Sequence, residues 1–93
     1  MYAFTQDVPI SKKMYEQLRA QLGERPDGML LHLVIELEKG LRYLDVWESE
    51  EQCNRFIEER VNPALGRMLA AAGITAPRGE APRVPISVLD VWK

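Results

Sequence analysis

His32 and Asp45 are the two residues of this chain best suited to moving a proton. Imidazole ordinarily titrates near neutral pH, and a neighbouring carboxylate fixes its orientation, so a His/Asp pair can act as a general base. Tyr43 and Trp47 alternate with Asp45 along the chain and could wall a hydrophobic or aromatic molecule, with Glu36 four residues beyond His32 as a further polar contact. The blander reading is a satisfied His/Asp pair, with aromatic filling, inside a subunit interface.

Other chemistries are poorly served. Ser11, Ser49 and Ser87 sit at helix starts or in a strand, without the strained elbow that exposes a nucleophile. The single cysteine, Cys53, follows acidic residues on a helix stripe, which suits a core thiol better than a reactive one. One histidine and one cysteine cannot make a zinc site of the usual composition, and no phosphate loop or dinucleotide fingerprint is present. No cofactor is expected. A net charge of −2, with arginines scattered among glutamates, argues against nucleic acid. The longest apolar run, residues 29–35, is interrupted by His32 and too short for a bilayer; no basic leader follows Met1, and one cysteine allows no internal disulfide. The expectation is a cytoplasmic protein without a membrane partner.

These residues need elements to position them. Residues 2–8 read as a strand stopped by Pro9. Ser11 can cap a helix with Met14, Tyr15, Leu18 and Leu22 on one stripe and Gly23 at its end. Residues 29–37 and 41–48 read as a hairpin turning at Lys39-Gly40. Ser49 with Gln52 resembles a capping box and opens a second helix with Cys53, Phe56, Ile57 and Val61 inward. Asn62-Pro63 is predicted to break it, with a following segment presenting Leu65, Met68, Leu69 and Ala72 and ending at Gly73. A loop over 74–83 leads to a fourth strand over 84–92, placed at an edge by Pro85. The order β-α-β-β-α-β describes one α+β domain over residues 1–93, with a ferredoxin-like antiparallel sheet and helices on one face.

A two-residue turn pairs Glu38 with Leu41, which puts Val34 beside Asp45 and makes His32 and Asp45 diagonal neighbours. Leu31, Leu33, Ile35, Leu37, Leu44 and Val46 then share an aliphatic face, assigned to the helices because an unpaired carboxylate there would be costly. His32, Glu36, Tyr43, Asp45 and Trp47 are left on an open face that needs another cover. The motif Leu-Asp-Val-Trp recurs at residues 44–47 and 89–92, and the second copy is expected to use its alternation as the first does.

Residues 41–65, LRYLDVWESEEQCNRFIEERVNPAL, resemble small bacterial proteins of the dimeric α/β barrel superfamily related to antibiotic biosynthesis monooxygenase domains. The likeness rests on Asp45-Val46-Trp47-Glu48-Ser49, on Phe56-Ile57-Glu58-Glu59-Arg60 and on Asn62-Pro63-Ala64-Leu65, with Gly28-Met29-Leu30-Leu31-His32 before them. It implies a homodimer whose two sheets pack through their open faces into a barrel. The superfamily holds cofactor-independent monooxygenases, haem-degrading enzymes and cyclases, so fold alone selects no reaction. The second-helix histidine of several monooxygenase relatives has no counterpart between Gln52 and Phe56. Two functional expectations follow. One is a cofactor-independent monooxygenase-like or isomerase-like enzyme for a hydrophobic or aromatic molecule, with His32 and Asp45 catalytic and Tyr43, Trp47 and Glu36 in contact with substrate. The other is a non-catalytic dimeric binding or structural module.

Overall fold

The computed structural model describes residues 1–73 and 81–92. The chain runs through β1 (Tyr2–Val8), α1 (Lys12–Leu22), β2 (Met29–Glu36), β3 (Leu41–Trp47) and α2 (Glu50–Phe56). A π-helical turn (Ile57–Val61), α3 (Asn62–Ala71) and the short β4 (Arg83–Pro85) follow. The four strands form one antiparallel sheet in the order β2-β3-β1-β4. This small α+β architecture is compatible with a ferredoxin-like arrangement.

The helix starts follow their capping chemistry. Ser11 accepts a hydrogen bond from the Met14 amide at 3.1 Å, and Ser49 accepts one from the Gln52 amide at 3.2 Å. The Ser49 hydroxyl donates in turn to Gln52 Oε1 at 2.9 Å, so the glutamine closes the cap on the serine side chain and not on its backbone. Gly28 lies beneath this cap at φ 87°, where a β-carbon would collide with the Gln52 amide. Its carbonyl accepts from the Glu48 amide at 2.7 Å, joining the entry to β2 with the exit from β3.

The second helical region differs from expectation at Pro63, which does not break it. The Asn62 amide reaches back five residues to the Ile57 carbonyl, and α3 continues through Pro63 in its first turn. The π turn absorbs a residue that can neither donate an amide hydrogen nor tolerate a carbonyl packed against its ring. Arg60 on this turn donates to the Leu22 carbonyl at 2.9 Å and lies 4.9 Å from the Phe56 ring centroid. A cation thus closes the C-terminal end of α1. Arg55 forms a local ion pair with Glu51 at 3.1 Å, one turn apart on α2.

The hairpin also corrects the expected pairing. Glu36 pairs with Leu41, Leu33 with Leu44 and His32 with Asp45, so the loop spans residues 37–40 in place of a two-residue turn. The Leu37 amide bonds to the Gly40 carbonyl at 3.2 Å, with Gly40 at φ 87° and too close to the Val8 carbonyl to carry a β-carbon without a shift. Because the register moves by two residues, the membership of each face is unchanged. What reverses is the layer that covers it. The helices pack on the face of Asp45 and Trp47, where the core is built from Phe4, Trp47 and Cys53, with Tyr2, Met29, Phe56 and Ile57 against them. Leu31, Leu33 and Ile35 stand on the opposite, helix-free face at 38%, 46% and 40% exposure.

The fourth strand is shorter than the predicted 84–92. It pairs with β1 over Arg83–Pro85, and one further bond joins the Ile86 amide to the Ala3 carbonyl at 3.1 Å. Beyond it the chain has no regular secondary structure, and the second Leu-Asp-Val-Trp is not in the sheet; Leu89 is 99% and Trp92 95% exposed. Pro85 is on an edge strand as expected, and most of the predicted loop, residues 74–80, lies outside the described residues.

Candidate functional site

The site is assembled where β2 and β3 pass beneath α1. His32 and Asp45 are direct cross-strand partners, and the His32 Nδ1 lies 2.7 Å from Asp45 Oδ1. Trp47, two residues along β3 and therefore on the same face, donates its Nε1 hydrogen to Asp45 Oδ2 at 3.2 Å. On the other side of the imidazole, the Tyr15 hydroxyl of α1 stands 2.9 Å from His32 Nε2. The four side chains make one continuous polar chain: Tyr15, His32, Asp45, Trp47.

The direction of these bonds follows from the groups. A carboxylate only accepts, so the imidazole presents its hydrogen at Nδ1 towards Asp45, and neutral His32 receives the Tyr15 hydroxyl hydrogen at Nε2. A base held by an acid on one side and facing a hydroxyl on the other is the arrangement of a proton relay. Here the terminal hydroxyl is a phenol. Among the described residues, no buried side-chain nitrogen or oxygen lacks a partner, which removes the penalty assumed in assigning Asp45 to the open face.

Aromatic rings surround the imidazole. The Tyr43 ring meets it edge-on at 5.3 Å between centroids, and the Tyr15 ring lies 5.7 Å from that of Tyr43. Burial, reinforced by Tyr15 and Asp45, holds the Tyr43 phenol well above the ordinary tyrosine range. Burial also raises Tyr15; the Arg19 cation partly opposes this shift and Asp45 adds to it. Both phenols are therefore kept as hydrogen donors.

The candidate residues do not all lie together. His32, Asp45 and Tyr43 converge, and Trp47 supports Asp45 from within the core, where it is 1% exposed and packs on Phe56 at 5.6 Å. Glu36 is exposed near the hairpin end of β2, opposite Leu41. The spacing of Tyr15 marks it only as part of the apolar stripe of α1, whereas its hydroxyl meets His32. The available signal was a polar tip on a stripe that must pack over a sheet face carrying histidine.

Polar contacts also line the other end of this layer. Gln6, buried on β1, donates to the Ala81 carbonyl at 2.7 Å, and Arg83 on β4 reaches Tyr2 at 3.0 Å and Asn54 at 2.9 Å while lying 5.2 Å from the Phe4 ring centroid. On the opposite face Asp7 and Arg42 form a two-pronged ion pair at 2.7 and 3.0 Å that lowers the Asp7 pKa. Among the described residues, no group of His, Cys, Asp and Glu is arranged to hold a metal ion, and no helix is long and apolar enough to cross a membrane. No protein-family model matches the chain, and no curated protein matches its sequence.

Proposed function

We propose that the protein is a homodimeric α/β barrel of the antibiotic biosynthesis monooxygenase-like kind, using Tyr15, His32 and Asp45 to move a proton on a hydrophobic or aromatic small molecule. The observation that carries this reading is the in-line contact of His32 with Asp45 at 2.7 Å and with the Tyr15 hydroxyl at 2.9 Å. Asp45 orients the imidazole, and His32 exchanges a proton with either the Tyr15 hydroxyl or a substrate atom that replaces it. Tyr43 shapes the aromatic surroundings. The chemistry is cofactor-independent and monooxygenase-like or isomerase-like, in which removing a proton from a phenolic or enolisable substrate is the step served by this array.

The dimer reading gains from the correction of the sheet faces. A helix-free face on which Leu31, Leu33, Ile35 and Val84 stay exposed is a better hydrophobic seam than the mixed face expected from sequence. Packing two such faces would close the barrel and add burial to a small core.

A non-catalytic dimeric module is the second reading, favoured by a specific observation. Both imidazole nitrogens are already engaged, and Trp47, sealed in the core, spends its indole hydrogen on Asp45. The array would then serve as a polar pin between α1 and the sheet. A thermal-shift screen with phenolic and enolisable molecules, followed by turnover of any ligand found, tests the choice. The enzyme reading expects turnover that falls about 100-fold or more in His32→Ala. Binding without turnover, or no binding at all, supports the module.

A further inference from the structure

We propose that Tyr15 is a redox-active tyrosine, giving one electron to an aryloxyl radical, the one-electron-oxidised form of a phenolic molecule, while its hydroxyl proton passes to His32. The step uses the same side chains as the proton chemistry proposed above but adds an electron, which that reading does not require. The Tyr15 O–H bond breaks and an N–H bond forms at His32 Nε2. The electron leaves the Tyr15 ring and reduces the aryloxyl radical to its phenolate. Tyr15 is left as a neutral radical and His32 as an imidazolium, with its Nδ1 2.7 Å from the Asp45 carboxylate.

Geometry and charge favour this step over loss of the proton alone. The Tyr15 hydroxyl stands 2.9 Å from His32 Nε2, so the proton moves within a hydrogen bond that already exists. Burial raises the Tyr15 pKa, because a phenolate beneath α1 would be a poorly solvated anion. A neutral tyrosyl radical carries no such penalty. The positive charge appears on the imidazole, where a carboxylate already faces it.

The other large rings lack this route. Of the three tyrosines in the chain, Tyr2 accepts a hydrogen bond from the Arg83 guanidinium at 3.0 Å, a group that takes up no proton. Tyr43 meets the imidazole only with its ring, edge-on at 5.3 Å, and both imidazole nitrogens are engaged by Tyr15 and Asp45. Trp47 does bond to a base, Asp45, but it is sealed in the core against Phe56, whereas Tyr15 is only half-buried on α1. A proton passed from Trp47 to Asp45 would also discharge the carboxylate that orients His32.

Flash photolysis of ruthenium tris-bipyridine, with a cobalt(III) ammine as acceptor, supplies a ruthenium(III) oxidant in place of the aryloxyl radical. The full chain is used with Trp92→Phe, which removes an indole that is 95% exposed. Electron paramagnetic resonance, with ring-deuterated tyrosine to separate tyrosyl from indolyl signals, should show a tyrosyl radical that is lost in Tyr15→Phe and kept in Tyr43→Phe. Its formation should slow about twofold in deuterium oxide and about tenfold or more in His32→Gln. The isotope effect requires no substitution in the array, so it holds the proposal to account even where His32→Gln folds poorly. A tyrosyl signal unchanged by Tyr15→Phe, or one that forms equally fast in both solvents, would overturn the proposal. Turnover of a phenolic ligand by a protein that forms no Tyr15 radical would overturn the redox role and leave the proton chemistry standing. A Tyr15 radical in a protein that turns over no ligand would support the redox role alone.

Discussion

Replacing Asp45 by alanine removes the acceptor of two donors at once, one buried and one part-buried. The His32 Nδ1 hydrogen and the Trp47 Nε1 hydrogen both end on this carboxylate, at 2.7 and 3.2 Å, beneath the helices. A buried donor left without a partner costs about 1–3 kcal/mol, so the pair predicts a loss of about 2–5 kcal/mol when partial relaxation is allowed. For a domain of this size that is a large fraction of the stability and corresponds to a fall in Tm on the order of 10–30 °C. Asp45→Asn should cost less, about 1–2 kcal/mol, because the amide oxygen still receives one donor while its nitrogen opposes the other. Urea and thermal unfolding of the two variants, at matched protein concentration, measure both values. A loss below about 0.5 kcal/mol for Asp45→Ala would mean that water readily replaces the carboxylate, refuting the stabilising role of the network.

Three further outcomes follow from the same contacts. Gly28→Ala should destabilise by about 1–2 kcal/mol in urea titrations, since φ is 87° and the Gln52 amide occupies the space of the new methyl group. Arg60→Ala should cost about 0.5–1.5 kcal/mol by uncapping the Leu22 carbonyl and exposing the Phe56 ring, with the earliest loss of exchange protection in the last turn of α1. Raised Tyr15 and Tyr43 pKa values mean that the folded state holds phenolic protons which the unfolded chain releases above the ordinary tyrosine value of 10.0. Their contribution to stability is complete below that pH and declines as pH rises towards the folded-state values, so alkaline unfolding should be delayed in Tyr43→Phe relative to wild type after correction for the lost hydroxyl.

The sequence carried the local structure more clearly than the choice of layer. Ser11, Gly23 and Ser49 define helix limits through their own backbone geometry, so the limits of both helices there could be read without tertiary information. The alternation of residues 29–36 and 41–47 likewise sorted His32 with Asp45 and Leu33 with Leu44, and a two-residue register change left that sorting intact. Assigning the helices to the aliphatic side failed because Asp45 was treated as an unpaired charge. Its indole partner lies two positions away in sequence, but its place beneath the helices depends on long-range contacts of β3 with β2 and α1. Pro63 was treated as a stop because its usual effect is local; the π turn that accommodates it draws on the Asn62–Ile57 bond. Residues 87–92 have strand composition but join no strand in the protomer, because composition alone supplies no edge to pair with.

The single histidine makes the site directly observable. In a protein labelled with nitrogen-15 at histidine, the imidazole spectrum reports one residue without assignment. A hydrogen-bonded Asp45–His32–Tyr15 array predicts a slowly exchanging, downfield hydrogen on Nδ1, lost in Asp45→Ala, and an Nε2 resonance displaced both by Tyr15→Phe and by a bound phenolic ligand. An imidazole hydrogen that exchanges at the rate of free histidine, with nitrogen resonances indifferent to Asp45, Tyr15 and every ligand tried, would contradict the proton-handling site.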